Sequence, residues 1–155
     1  MNIHIHAVGR LRTSYRAICD EYLKRLGRYA EVAVREVKEA GTAPTPAVQR
    51  KQEGERLLAA IPADATVVAL AVDGRAISSE ELAVRLDGWR AAARPLAVVI
   101  GGPEGLASDV LDRATFRWSL GPLTLPHELA RVVVLEQLYR AFSILGGSPY
   151  HRGAR

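Results

Sequence analysis

An α/β fold, with a mostly parallel sheet and helices on both of its faces, is what this sequence predicts, and three observations carry the prediction. Short apolar runs of strand length alternate with segments in which apolar residues return every three or four positions. Two of the runs, Thr66 to Val72 and Leu96 to Ile100, are continuously apolar after the opening threonine of the first, the pattern of strands covered on both faces. Loops bearing glycine or proline separate the runs from the helical segments, so the order is strand, helix, strand, helix from end to end. With 155 residues, no internal repeat and no change of composition, the expectation is one domain covering 1–155.

The elements follow in order. Asn2 to Val8 alternates, with Ile3, Ile5 and Ala7 on one face, and reads as a strand. Tyr15, Ile18, Cys19, Tyr22, Leu23 and Leu26 form a helical stripe, with Thr13 or Ser14 available as N-cap. Val32, Val34 and Val37 mark a second strand. Lys38 to Pro46 has no periodicity and reads as a mobile loop. A helix from Ala47 to Ile61 precedes the Thr66 to Val72 strand, which Asp73-Gly74 is expected to end in a turn. Ser78 with Glu81 spells a capping box opening a helix through Leu82, Leu86 and Trp89. Leu96 to Ile100, a helix from Ser108 to Ala114, a strand from Phe116 to Leu120 and a long helix from Glu128 to Leu145 complete the chain.

Composition narrows the function classes. Apolar residues at 48% and charged residues at 25% are those of an ordinary globular protein, large enough to need no disulfide or metal. One cysteine, Cys19, excludes an internal disulfide and a cysteine-rich metal site, and fits a reducing cytoplasm. The histidines, His4, His6, His127 and His151, lack metal-ligand spacing, so no metal is expected. Met1 to Gly9 has no apolar core of a secretory leader. The most apolar helix carries Arg131, Glu136 and Arg140, so no membrane partner is expected. Neither dinucleotide nor triphosphate glycine motifs occur, nor a Gly-x-Ser-x-Gly nucleophile turn. The net charge of +4, carried mostly by arginine, is compatible with a polyanionic partner without requiring one.

Three segments stand out for chemistry. Ile100-Gly101-Gly102-Pro103-Glu104-Gly105-Leu106 places a glycine-rich turn at the end of a buried strand, where backbone groups can approach a ligand closely. Its Glu104 could accept a proton from a ligand or simply begin the next helix. Gly121-Pro122-Leu123-Thr124-Leu125-Pro126-His127 is a second irregular loop at a strand end, either a rigid connector or a set of backbone groups for the edge of a purine. His127 opens the last helix, where the dipole disfavours the charged imidazole, and serves there as base or as cap. Two such loops on neighbouring strands are how open α/β sheets build a ligand crevice. The tail Tyr150-His151-Arg152, with Arg140 and Arg155, is either a frayed end or an aromatic, imidazole and guanidinium set suited to base stacking and phosphate contact. The last helix, apolar nearly all round, is either deeply buried or an oligomer interface.

These segments, together with Leu138-Tyr139-Arg140-Ala141, stand in an order that resembles the RlmH family over essentially the whole chain, from Ile5-His6-Ala7-Val8-Gly9 to the tail. These are SPOUT-class methyltransferases of large-subunit ribosomal RNA. The resemblance implies a C-terminal deep trefoil knot, a homodimer, S-adenosyl-L-methionine as cofactor and N3 of a pseudouridine as acceptor, in ribosomal RNA or the ribosome. It assigns cofactor contacts to Leu70, Gly102, Gly121, Pro122, Leu123, Thr124, Leu125 and Pro126. Related sequences often carry serine at the position of Gly121, so a hydroxyl contact there is not inherited. An imide nitrogen must lose its proton to accept a methyl group, which makes Glu104, His127 and His151 the proton acceptors to consider. Arg131, Arg140 and Arg152 become the cations to consider for the oxygens that gain charge and for RNA, with Tyr150 beside them. Two rival readings stand: the same fold and cofactor acting on transfer RNA, and a non-catalytic ribosome-associated RNA-binding factor.

Overall fold

A computed structural model describes residues 1–152, which leaves Arg155 outside the described residues. Five strands, β1 (Asn2–Val8), β2 (Glu31–Val37), β3 (Thr66–Ala76), β4 (Leu96–Ile100) and β5 (Phe116–Ser119), form one sheet in the order β2-β1-β4-β3-β5. Every pairing is parallel, so all carboxyl ends lie along one edge. Five helices connect or follow them: α1 (Thr13–Leu26), α2 (Pro46–Ala60), α3 (Ser79–Ala91), α4 (Ser108–Arg113) and α5 (His127–Leu145). A 3-10 turn, Pro149–Arg152, packs back on α5.

Alternation along the strands sorts the side chains into two cores. Ile3, Ile5, Val68, Leu96, Val98 and Ile100 face one side, where they meet Leu82 and Leu86 of α3 and Val134, Leu135 and Leu138 of α5. Val8, Val67, Ala97 and Val99 face the other, against Leu57 of α2 and Val110 of α4. Burying a side chain of this size contributes roughly 1.5–3 kcal/mol each, so apolar area is the main force holding the layers. Cys19 belongs to the first core, and its burial pushes the thiol pKa up. His6 lies in the sheet's interior with neither ring nitrogen hydrogen-bonded, and burial, then His4 and Arg35, lower its pKa to about 4.

Several sequence expectations need correction. The N-cap of α1 is Arg12, not Thr13 or Ser14, and it makes no side-chain cap. Instead its backbone N–H donates to the Glu128 carboxylate at 2.6 Å, a contact 116 residues away that no local pattern announces. The Lys38 to Pro46 segment is pinned rather than free: Ala40 is buried with its N–H on Glu53, and Arg56 donates to the Lys38 carbonyl. Pro46 is already the first residue of α2, behind an N-cap in which Thr45 Oγ1 accepts from the Val48 N–H.

Asp73-Gly74 does not end its strand. Trp118 of β5 pairs with both Leu70 and Arg75, so residues 71–74 bulge out and β3 continues to Ala76. A Cβ on Gly74 would lie 2.7 Å from the Arg117 carbonyl oxygen, which is why glycine is needed where the bulge crosses β5. The apolar run is therefore not covered along its whole length: Val72 is 85% exposed. The capping box at Ser78 and Glu81 forms as expected.

Candidate functional site

At the shared carboxyl edge, the connection after β3 leaves toward the layer of α3 and α5, while that after β4 leaves toward the layer of α2 and α4. A crevice opens where the two diverge, the usual ligand position in an open α/β sheet. Its cavity volume is about 140 Å³, smaller than the roughly 300–1,000 Å³ of an enclosed small-molecule cleft, and one side opens to solvent. Three backbone irregularities wall it, together with the first turn of α5.

The first is the turn after β4. Gly105 donates its N–H to the Gly102 carbonyl at 3.0 Å, and the two residues form an isolated antiparallel bridge. Gly101 allows this folding-back, since a Cβ there would lie 2.8 Å from the Gly105 carbonyl carbon. The second is the loop after β5. Gly121 has φ of 109°, a conformation that side chains rarely adopt, and its N–H donates to Ser119 Oγ at 3.2 Å. Leu123, Thr124 and Leu125 then cross the crevice, with Leu123 78% exposed at its rim. The third is the bulge in β3, which brings Leu70, Ala71 and Val72 to the opposite wall.

His127 and Ala130 of α5 complete the lining. The same turns of α5 grip the β1–α1 connection on their other side. Glu128 accepts from the Arg12 N–H and from Arg12 Nε at 2.8 Å, and the Arg12 backbone bond, more than the guanidinium, holds its carboxyl below the usual range against the opposing effect of burial. Arg131 is buried, donating to Glu36 at 2.6 Å and to the Gly9 carbonyl at 3.0 Å. Burial works to raise the Glu36 carboxyl, but bonds from Arg131 and Arg16 outweigh it and its pKa falls. The position of His127 is thereby fixed through its neighbours.

The far end of α5 carries a different structure. Arg140 donates through Nε (2.9 Å) and a terminal nitrogen (2.6 Å) to Glu136, and reaches the Tyr150 and His151 carbonyls at 3.4 Å. Tyr150 packs edge-on against Tyr139, with ring centres 4.6 Å apart, and burial beside Tyr22 pushes its phenol up. His151 places Nδ1 2.6 Å from the Ser148 carbonyl. A carbonyl accepts only, so Nδ1 carries the proton and Nε2 is the ring's basic atom.

The expected residues thus separate into two groups. Leu70, Gly102, Gly121, Leu123, Thr124, Leu125 and His127 line the crevice, while Pro122 and Pro126 frame its loop without lining it. Glu104 is exposed on the turn, outside the lining. Arg131 faces away, engaged by Glu36 and Gly9. Arg140, Tyr150, His151 and the exposed Arg152 sit at the tail. Thirteen positions of helix, about 20 Å at 1.5 Å per residue, separate His127 from Arg140. Sequence reasoning missed Ala71 and Val72, for which the Asp-Gly pair was the available signal, and the buried carboxylates Glu53 and Glu128 and the partly exposed Glu36, for which there was none. Among the described residues no three His, Cys, Asp or Glu side chains converge on a common point, and no helix is long and apolar enough to cross a membrane.

Comparison with known proteins agrees with this geometry. The family model described as predicted SPOUT methyltransferase matches residues 1–151. The chain is 50% identical, over 134 residues covering 85% of it and 86% of the relative, to ribosomal RNA large subunit methyltransferase H of Xanthomonas axonopodis pv. citri (strain 306). It is 49% identical over the same span to the protein of that name from Xanthomonas oryzae pv. oryzae (strain PXO99A). Its fold is similar to that of a probable methylase family protein from Haemophilus influenzae Rd KW20, with a TM-score of 0.57 over 96% of this chain and 69% of the other, at 15% identity.

Proposed function

This chain belongs to the SPOUT methyltransferase family, and from that premise we propose that it methylates N3 of a pseudouridine in large-subunit ribosomal RNA, using S-adenosylmethionine, in the cytoplasm. The active unit is a homodimer, knotted at its C-terminus, in which the tail of one copy closes over the crevice of the other. One observation carries this reading: the crevice and the tail sit at opposite ends of α5, so a protomer's own tail, packed on its own helix, does not cover its own crevice.

The crevice suits the donor. Its walls are apolar side chains and exposed backbone groups, and the missing side chains of Gly101 and Gly102 let the turn fold back on itself and seat closely on Val8 and Glu53 behind the crevice. Gly102, Leu70 and the Gly121–Pro126 loop would hold S-adenosylmethionine, which when bound supplies an electrophilic methyl group on a sulfonium. The protein's task is then to orient the acceptor, exclude water and remove the N3 proton. His127 stands in the crevice wall and is one acceptor for that proton. Nε2 of His151 is another, delivered by the second copy, and Glu104 on the exposed turn is the third. Arg152 brings cationic charge with the tail, toward the phosphates and the carbonyl oxygens that gain charge, while Arg140, paired with Glu136, holds the tail carbonyls in place. The exposed Val72 and Leu123 beside the crevice are apolar surface for the acceptor or the tail to cover.

Methyl incorporation into free ribosomal RNA, isolated subunits and assembled ribosomes tests the reading, with nucleoside mass spectrometry locating the product. The expected product is an N3-methylated pseudouridine of the large subunit. Methylated transfer RNA, or no saturable S-adenosylmethionine binding in calorimetry, would contradict it.

A further inference from the structure

Glu53 of α2 is 1% exposed, and its carboxylate is used on one side only. Oε1 accepts from the Ala40 N–H at 3.1 Å and from Gln49 Nε2 at 3.0 Å. Oε2 has no hydrogen-bond partner. It points at Gly102: a Cβ on that glycine would lie 3.4 Å from Oε2 and 3.0 Å from Val8 Cγ1. The crevice lies across Gly102, whose missing side chain lets the turn settle directly on the acid.

Both groups bonded to this carboxylate are neutral amides. A buried carboxylate with one free oxygen and no cation is costly to maintain, and its field reaches farther through a poorly polarisable interior than through water. What it favours is positive charge in the adjoining space. The proposed donor and its product differ in charge at one atom: the sulfonium of S-adenosylmethionine is cationic, and the thioether of S-adenosylhomocysteine is neutral.

Resting on the donor named under the proposed function, we propose that Glu53 is a positioning residue whose uncompensated charge, held behind Gly102, makes the crevice prefer the cationic donor to the demethylated product. It touches neither ligand. Acting through Gly102, it favours loading before transfer and release after it. It also ties the β2–α2 loop to the crevice, since Ala40 and Gly102 meet the same carboxylate.

Calorimetric titration of the full-length protein with each compound tests this. Glu53→Gln keeps the shape and the Ala40 bond while removing the charge. It is expected to weaken S-adenosylmethionine about tenfold and leave S-adenosylhomocysteine unchanged, the size expected of one charge several ångströms away in a partly screened interior. Glu53→Asp, which keeps the charge, retains donor preference over Glu53→Gln. Gln49→Ala, which strips a donor from the same carboxylate without touching its charge, moves the preference further toward the donor and provides an arm that does not depend on Glu53→Gln folding. Equal weakening of both compounds by Glu53→Gln, or no movement of the ratio in either substitution, overturns the proposal while leaving the donor assignment intact. Wild-type protein that binds neither compound overturns both.

Discussion

The two ends of α5 solve opposite problems with the same nineteen residues. The amino end borders a crevice walled by backbone and apolar side chains, and it is locked from behind by Glu128 on Arg12 and by Arg131 on Glu36 and Gly9. The carboxyl end bears an arginine-rich, aromatic tail held by Arg140, Glu136 and Tyr139, with exposed Arg152 at its tip. One end is locked and mostly apolar, the character expected of the proposed donor pocket; the other is charged and surface-mounted, the character expected of the proposed RNA contact. Their separation teaches that binding the donor and engaging the acceptor are distinct tasks, which substitutions should be able to uncouple.

The largest expected effect comes from deleting Tyr150 to Arg155. Methyl transfer falls by roughly a thousandfold or more, because the acceptor loses its positioning groups, while donor affinity in calorimetry is unchanged. A parallel loss of both would mean the ends are one site. Next is Arg131→Ala, which leaves Glu36 half-buried without its principal partner and frees the Gly9 carbonyl; denaturant unfolding should show a loss of about 3 kcal/mol. This variant disturbs the crevice end, so donor affinity should drop with stability.

A perturbation inside the sheet, read by its pH dependence, is next. Folding lowers the His6 pKa from 6.5 to about 4, so between those values the unfolded chain binds the proton that the folded chain refuses. Stability from this group is complete above about pH 6.5 and is lost as the pH falls toward 4, by about 3 kcal/mol. Equilibrium unfolding of His6→Leu across that window should be correspondingly flatter. The lowered Glu36 and Glu128 carboxyls begin to lose their stabilising effect only as the pH falls through the ordinary carboxylate value, at the acid end of that window, so His6 dominates its upper part. The smallest effect is expected from Glu136→Gln, which weakens the grip on Arg140 and Tyr150; kcat should fall about tenfold with donor affinity preserved.

Much of this was legible in the residues. Alternation in Asn2 to Val8 and unbroken apolar runs at Leu96 to Ile100 announced a parallel, two-sided sheet, and Ser78 with Glu81 announced its helix. Both crevice loops could be read because glycine and proline carry backbone geometry in their own chemistry. What stayed hidden depends on distance along the chain. Glu128 meets the start of α1 from 116 residues away, and Arg131 meets Glu36 from 95. Arg131 therefore read as a free cation when it is a structural one. Asp73-Gly74 read as a turn because a four-residue bulge is recognisable only once β5 lies alongside. The separation of tail and crevice required knowing that one helix carries both, and which end each occupies.

Complementation between two defective proteins addresses the composite site most directly. One variant lacks residues 150–155; the other carries Thr124→Trp, which fills the crevice from an exposed position and spares the core. Each alone should be inactive. Mixed under conditions where subunits exchange, with heterodimers verified by native mass spectrometry, they should regain methyl transfer, because one crevice in each heterodimer then receives an intact tail from its neighbour. Heterodimers that form and stay inactive would contradict the account.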